Sequence, residues 1–275
     1  MYRNIIVGYD GSNEAEDALA LAGLLRDREG VVTAATDDES AVPEPREWLR
    51  THVFPAGSGA AALPRLVHHS GADLFVLGSS SRAAAGRTLT GPVGRRLLFG
   101  SPCSAAIAPK GFRRIATGPR TVGIAFETED EALHAVDEGT RLAQSLGASA
   151  RLICLVPPLA PWALDAGTDA GYTRGDVERH HRETCQHTLD HALDAVAPSV
   201  PAEGRLVEGA PASALAAETG AGVDLLVLAS PGVRPVPGVR PGATAMAVMR
   251  SSPCPVLLTP TGIRRARAPV ASAAG

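Results

Sequence analysis

Gly78, Gly91 and Gly94 stand with Ser79, Ser80 and Ser81 in one stretch, GSSSRAAAGRTLTGPVG. A glycine-rich loop that runs into a helix can bring backbone N–H groups close to an anion, and the helix start adds unpaired donors and partial positive charge. Pro92 cuts across that chemistry. It has no N–H and follows Gly91 directly, although its fixed φ suits the first turn of a helix. A second group lies near the amino end, where the apolar run 5–9 leads into Asp10, Gly11 and Ser12.

Both groups need a scaffold, and the alternation of short apolar runs with helix-periodic segments supplies one. Residues 121–126 read as a strand, 130–146 as a helix, 151–156 as a strand and 176–196 as a helix. A short strand at 205–208, a helix at 212–219, a buried strand at 225–229, a helix at 243–250 and a strand at 256–259 follow. Nearly continuous apolar strands between helices predict an α/β fold: a doubly wound, mostly parallel sheet covered on both faces. Ligands of such sheets bind beyond the carboxyl ends of the strands, at the switch point of strand order. Both groups are placed there.

The pattern occurs twice. GADLFVLGSS at 71–80 matches GVDLLVLASP at 222–231, an offset of 151 that also carries Gly91 onto Gly242 and the SPC of 101–103 onto that of 252–254. An earlier match at an offset of 117 pairs Asp10 with Glu127. Two offsets mean that one copy is shorter, and the first has no room for a counterpart of helix 176–196 between Thr36 and Val53, where Pro43, Pro45 and Trp48 lie. The expected domains are therefore 1–112, lacking one helix, and 118–262, followed by a disordered tail over 263–275.

Composition narrows the functional classes. With 45% hydrophobic and 20% charged residues and a net charge of −3, the chain reads as globular, with no global bias toward nucleic acid or an acidic membrane. No run approaches the ~20 apolar residues of a membrane span, no signal peptide is visible, and the four cysteines form no CxxC pair. A cytoplasmic protein with reduced thiols is expected.

The run into Asp10-Gly11-Ser12, the strand ADLFVLG, the long loop and the repeated SPC together resemble the universal stress protein family in its tandem form, over almost the whole chain. The resemblance implies two Rossmann-like domains and a stress-response or signalling role. It also implies ATP or another adenine nucleotide as the bound cofactor. Asp10, Gly11 and Ser12 would then lie at the ribose side, Thr36 at the end of the second strand near adenine, and Gly78, Ser81, Gly91 and Gly94 around the phosphates. The family's loop pattern is Gly, two residues, Gly, nine residues, then Gly with Ser or Thr. The first copy departs from it at Ser81 and Pro92. The second keeps Gly232 and Gly242, has Ala229 and Ala243 at the other positions with Thr244 one residue on, and carries Glu127 where the first has Asp10.

An alternative stands beside this reading: a module for an unknown protein partner, with loops that only turn the chain. No acid/base pair adjoins the loops, so no catalytic residues and no enzyme activity beyond a slow ATPase are expected. The apolar strands SAAIAP and PVLLTP would pair the two copies as an internal pseudo-dimer, with a homodimer also open, and Cys103 and Cys254 would precede an edge of the sheet. His180, His187 and His191 share a helical stripe at a spacing that could ligate a metal, but no third element offers a ligand, and no metal site is assigned.

Overall fold

Each half arranges its sheet around its own first strand. The computed structural model describes residues 1–114, 118–127, 129–169, 171–230, 239 and 241–260. In the first half β1 (Tyr2–Gly8), α1 (Asn13–Leu25), β2 (Arg26–Thr36), β3 (Leu49–Val53), α2 (Gly59–His69), β4 (Leu74–Gly78), α3 (Pro92–Leu98) and β5 (Ser104–Ala108) follow in order. The second half runs β6 (Thr121–Phe126), α4 (Glu129–Leu146), β7 (Ser149–Val156), α5 (Pro161–Asp169), α6 (Arg174–Val196), β8 (Ala202–Glu208), α7 (Pro211–Gly220), β9 (Leu225–Ser230), α8 (Ala243–Val248) and β10 (Val256–Pro260).

The strands form one ten-stranded sheet in the order β3-β2-β1-β4-β5-β10-β9-β6-β7-β8. All neighbours are parallel except β5 and β10, which pair antiparallel with Leu257 opposite Ala106. The two halves thus join through their last strands. Cys103 and Cys254 therefore precede the centre of the sheet, and the expectation of an edge there is corrected. The true edges, β3 and β8, are short and carry Arg50, His52, Glu203, Arg205 and Glu208, charge that discourages pairing with further chains. Every residue of β5, β9 and β10 is buried, as strands covered on both faces must be.

One apolar core spans both halves, from Tyr2 and Leu19 to Ile124, Leu152 and Leu257. At its boundary the Tyr2 hydroxyl donates to the buried Glu138 carboxylate across the halves. The linker is held by Asp17, whose buried carboxylate accepts from the amides of Gly111 at 2.6 Å and Arg113 at 2.9 Å.

Helix starts follow capping chemistry. The Ser12 hydroxyl accepts from the Ala15 amide, and Thr173 with Asp176 closes a capping box on α6. No helix connects β2 to β3, and residues 37–48 between them are all described. Trp48 packs against Gly23, with the guanidinium groups of Arg26 and Arg46 each 5.3 Å from its ring centroid, so stacked cations and an indole fill the space.

Two elements differ from the sequence reading. β2 begins at Arg26, not Val31, because the Arg26 guanidinium gathers the carbonyls of Asp27, Arg28 and Gly30 and the ladder with β1 resumes after a bulge. Helix α5 begins at Pro161, where a proline ring fits a first turn; among so many prolines its periodicity did not stand out. The segment 263–275 lies outside the described residues.

Candidate functional site

β1 lies between β2 and β4, parallel to both, so the strand order reverses there and the carboxyl ends of β1 and β4 face a common crevice. The group at Asp10, Gly11 and Ser12 sits at this point. The Asp10 carboxylate accepts from the Ser12 amide at 3.0 Å, closing a turn in which Gly11 holds φ +75. That angle suits glycine. Asp10 and Gly11 are exposed, and Ser12 caps α1.

Thr36 ends β2 but turns its hydroxyl inward. It is buried, accepts from the Asp38 amide at 3.1 Å and approaches the Asp38 carbonyl at 3.3 Å. Its side chain shapes the turn after β2 and does not enter the crevice as a free hydroxyl. The adjoining Asp38 carboxyl is held below its ordinary range, chiefly by the hydroxyl of Ser40 and then by its amide.

The loop glycines divide into two kinds. A Cβ on Gly78 would lie 2.0 Å from the Glu14 carbonyl oxygen, and one on Gly94 would lie 3.1 Å from Thr90 and 3.2 Å from Leu77. These two let strand and helix approach each other. Gly91 caps α3 with extended backbone, and the nearest atom to a Cβ there is that of Ser80, 3.8 Å away. Space therefore remains beside Gly91, as a bound phosphate would require. Pro92 occupies the first turn of α3, as its fixed φ favours. Ser81 is exposed, and its carbonyl accepts from Lys110 Nζ at 2.8 Å.

The residues between the glycines have a role that the sequence did not reveal. Ser79 is buried, donates to the Ala108 carbonyl at 2.7 Å and accepts from the Leu89 amide at 3.2 Å. Beyond it the loop crosses to the second half. The Thr88 amide donates to the Ser252 carbonyl at 2.8 Å, and the Ser252 amide to the Thr88 hydroxyl at 3.0 Å. Arg87 Nη1 donates to the Ser251 carbonyl at 3.0 Å. From the other side Val239 exchanges backbone bonds with Gly100 and Ser101, at 2.9 and 2.8 Å. The repeated SPC was the available signal, since both copies of that motif receive these bonds.

The second half presents the same framework with different chemistry. β6 lies between β7 and β9, Gly242 caps α8, and Thr244 Oγ1 donates to Glu127 Oε1 at 3.3 Å. The Glu127 carboxylate thus reaches the first turn of α8. Gly232 lies outside the described residues.

His180, His187 and His191 are exposed on α6. Among the described residues no three His, Cys, Asp or Glu side chains are gathered as a metal site. Burial pushes the thiols of Cys154 and Cys254 up to about 12 and about 11 and raises that of Cys185. None is a poised nucleophile. No helix among the described residues is long and apolar enough to cross a membrane.

A family model described as the Universal stress protein family matches residues 119–260. The fold is similar to that of a universal stress protein from Archaeoglobus fulgidus DSM 4304, at 15% identity over 94% of this chain and 98% of that one, with a TM-score of 0.63. It is also similar to that of a functionally unknown protein from Pseudomonas aeruginosa PAO1, at 14% identity over 94% and 92% of the chains, with a TM-score of 0.60. At such identities the likeness speaks for the fold. No curated protein matches the sequence.

Proposed function

The chain belongs to the universal stress protein family, and on that premise we propose that it is a stress-response protein whose first half takes an adenine nucleotide while its second half does not. The observation that carries this reading is the contrast between the halves. Beside Gly91 a Cβ would meet only Ser80, at 3.8 Å, whereas Glu127 confronts Thr244 in the second half. Asp10, Gly11 and Ser12 would receive the ribose side and Gly78, Ser81, Gly91 and Gly94 would surround the phosphates. The division into 1–112 and 118–262 is part of the proposal. When bound, the nucleotide would bring a charged phosphate chain to the crevice. The residues around it offer binding and orientation.

Calorimetric titration with ATP tests this reading. Binding by the wild-type chain is expected to weaken on Asp10→Ala and to tighten about ten- to a hundredfold on Pro92→Ser, which restores a hydroxyl and a backbone donor. Absence of heat at millimolar ATP in both the wild type and Pro92→Ser sinks it.

A second reading, an interaction module without nucleotide, is favoured by the hydrogen bonds of Thr88 and Arg87 to the opposite half. In that reading the loop serves as a clasp. Absence of ATP binding by the wild-type chain would count for it.

A further inference from the structure

The outer side of the same loop meets α7 and the turn after α8 in an open groove of about 440 Å³, and Arg82, Arg87, Thr88, Ala216, Arg250 and Ser251 contribute to its lining. Arg82 and Arg87 come from the first half and Arg250 from the second, so the groove exists only where the two copies meet. Among the described residues no carboxylate lines it. Some arginines of this acidic chain find carboxylates elsewhere: Arg3 with Glu29, Arg151 with Glu203 and Glu218, Arg174 with Glu178 and Arg182 with Glu208. Among the described residues no such ion pair is made by Arg82, Arg87 or Arg250. Lys110, the nearby ammonium, is already paired with Glu14 at 3.2 Å.

Three arginines line one groove, and positive charges gathered in this way are relieved by screening or by an anion. The backbone beneath them is held in place. Thr88 and Ser252 are joined twice, Arg87 is anchored on the Ser251 carbonyl, and the Gly86 and Lys110 amides bond the Lys110 and Arg87 carbonyls at 2.9 and 3.0 Å. A ligand would therefore find the cations on a preorganised support.

Nor does the repeat itself require these charges. At an offset of 151 the positions equivalent to Arg82, Arg87 and Arg250 hold Val233, Gly238 and Phe99. At these three positions the other copy carries no charge.

The geometry points to a binding site for a compact, multiply charged phosphate anion in this seam groove, separate from the crevice at Asp10. Guanidinium groups present planar, paired donors that match phosphate oxygens, and the volume is that of a small-molecule site rather than a track for an extended acidic chain. Sodium tripolyphosphate is the probe, since it carries the charge without a base. Titrated calorimetrically into the full chain, it is expected to bind at one site. Arg82→Gln and Arg250→Gln, both exposed, should each weaken it about tenfold or more. Arg3→Gln, remote from the groove, and Asp10→Ala should leave it unchanged. Absence of heat at millimolar tripolyphosphate, wild-type affinity in both groove variants, or binding of a polyglutamate peptide but not of tripolyphosphate overturns the proposal. An effect of Asp10→Ala on ATP alone keeps the two sites distinct.

Discussion

Thr88 and Ser252 hold each other across the two halves: the Thr88 amide donates to the Ser252 carbonyl, and the Ser252 amide donates to the Thr88 hydroxyl. Both residues are buried. Thr88→Val keeps the shape of the side chain but leaves the Ser252 amide without its acceptor, at a cost of about 1–3 kcal/mol. Urea unfolding should register that loss, and hydrogen exchange at the Ser252 amide should quicken. Unchanged exchange there would show that the clasp carries no stability.

Gly78 and Gly91 should separate under the same substitution. Gly78→Ala forces a Cβ into the Glu14 carbonyl and is expected to destabilise the fold by about 3 kcal/mol or more, the upper end of overpacking. Gly91→Ala meets only an ordinary contact and should leave the thermal midpoint almost unchanged while weakening ATP. Equal destabilisation by both would remove the distinction between packing and open glycines.

Acid should release the α6 cap. The hydrogen bond from the Thr173 hydroxyl, and then that from its amide, hold the Asp176 carboxyl below its ordinary range. A lowered folded value means that the ionised form favours folding. The contribution is complete above the usual carboxylate pKa of about 4 and disappears as pH falls through the lowered value. The midpoint difference between wild type and Asp176→Ala is expected to be present at neutral pH and to shrink on acidification. A difference that persists through strong acid would exclude the carboxylate as its origin.

The cysteines should resist alkylation in the folded chain. All four are buried, and the raised thiols of Cys154, Cys185 and Cys254 leave little thiolate at pH 8. Iodoacetamide followed by mass spectrometry should label these three slowly before, and rapidly after, addition of denaturant. Rapid native labelling of Cys154 would contradict its burial.

The strands were legible because burial on both faces makes them almost uniformly apolar: Thr121–Phe126 and Leu225–Ser230 stand out against the polar helix faces around them. The joint between the copies was legible too, since SAAIA and VLLTP have no polar face for an exposed edge. Other features depend on contacts distant in sequence. Nothing local shows that Arg26 will gather three carbonyls and start β2 early, or that Thr88 will meet Ser252. The candidate site was legible at Asp10, whose turn closes within three residues. At Thr36 the sequence placed the residue correctly but could not give the inward direction of its hydroxyl, which the neighbouring turn decides. Gly78 and Gly91 look alike as letters, and only the proximity of α1 separates them.

The antiparallel joint of β5 and β10 frees the molecule from a constraint that a symmetric pair of identical chains cannot escape. In such a pair every substitution appears twice, so a change that suits one crevice alters its twin. Covalent continuity lets Asp10 and Glu127 occupy corresponding corners of one assembly, and lets Arg250 stand opposite a loop on one side while Phe99 holds the matching position on the other. Dilution cannot separate the two copies either. One half can drift away from a shared ancestral task while the other, built on the same frame, retains it.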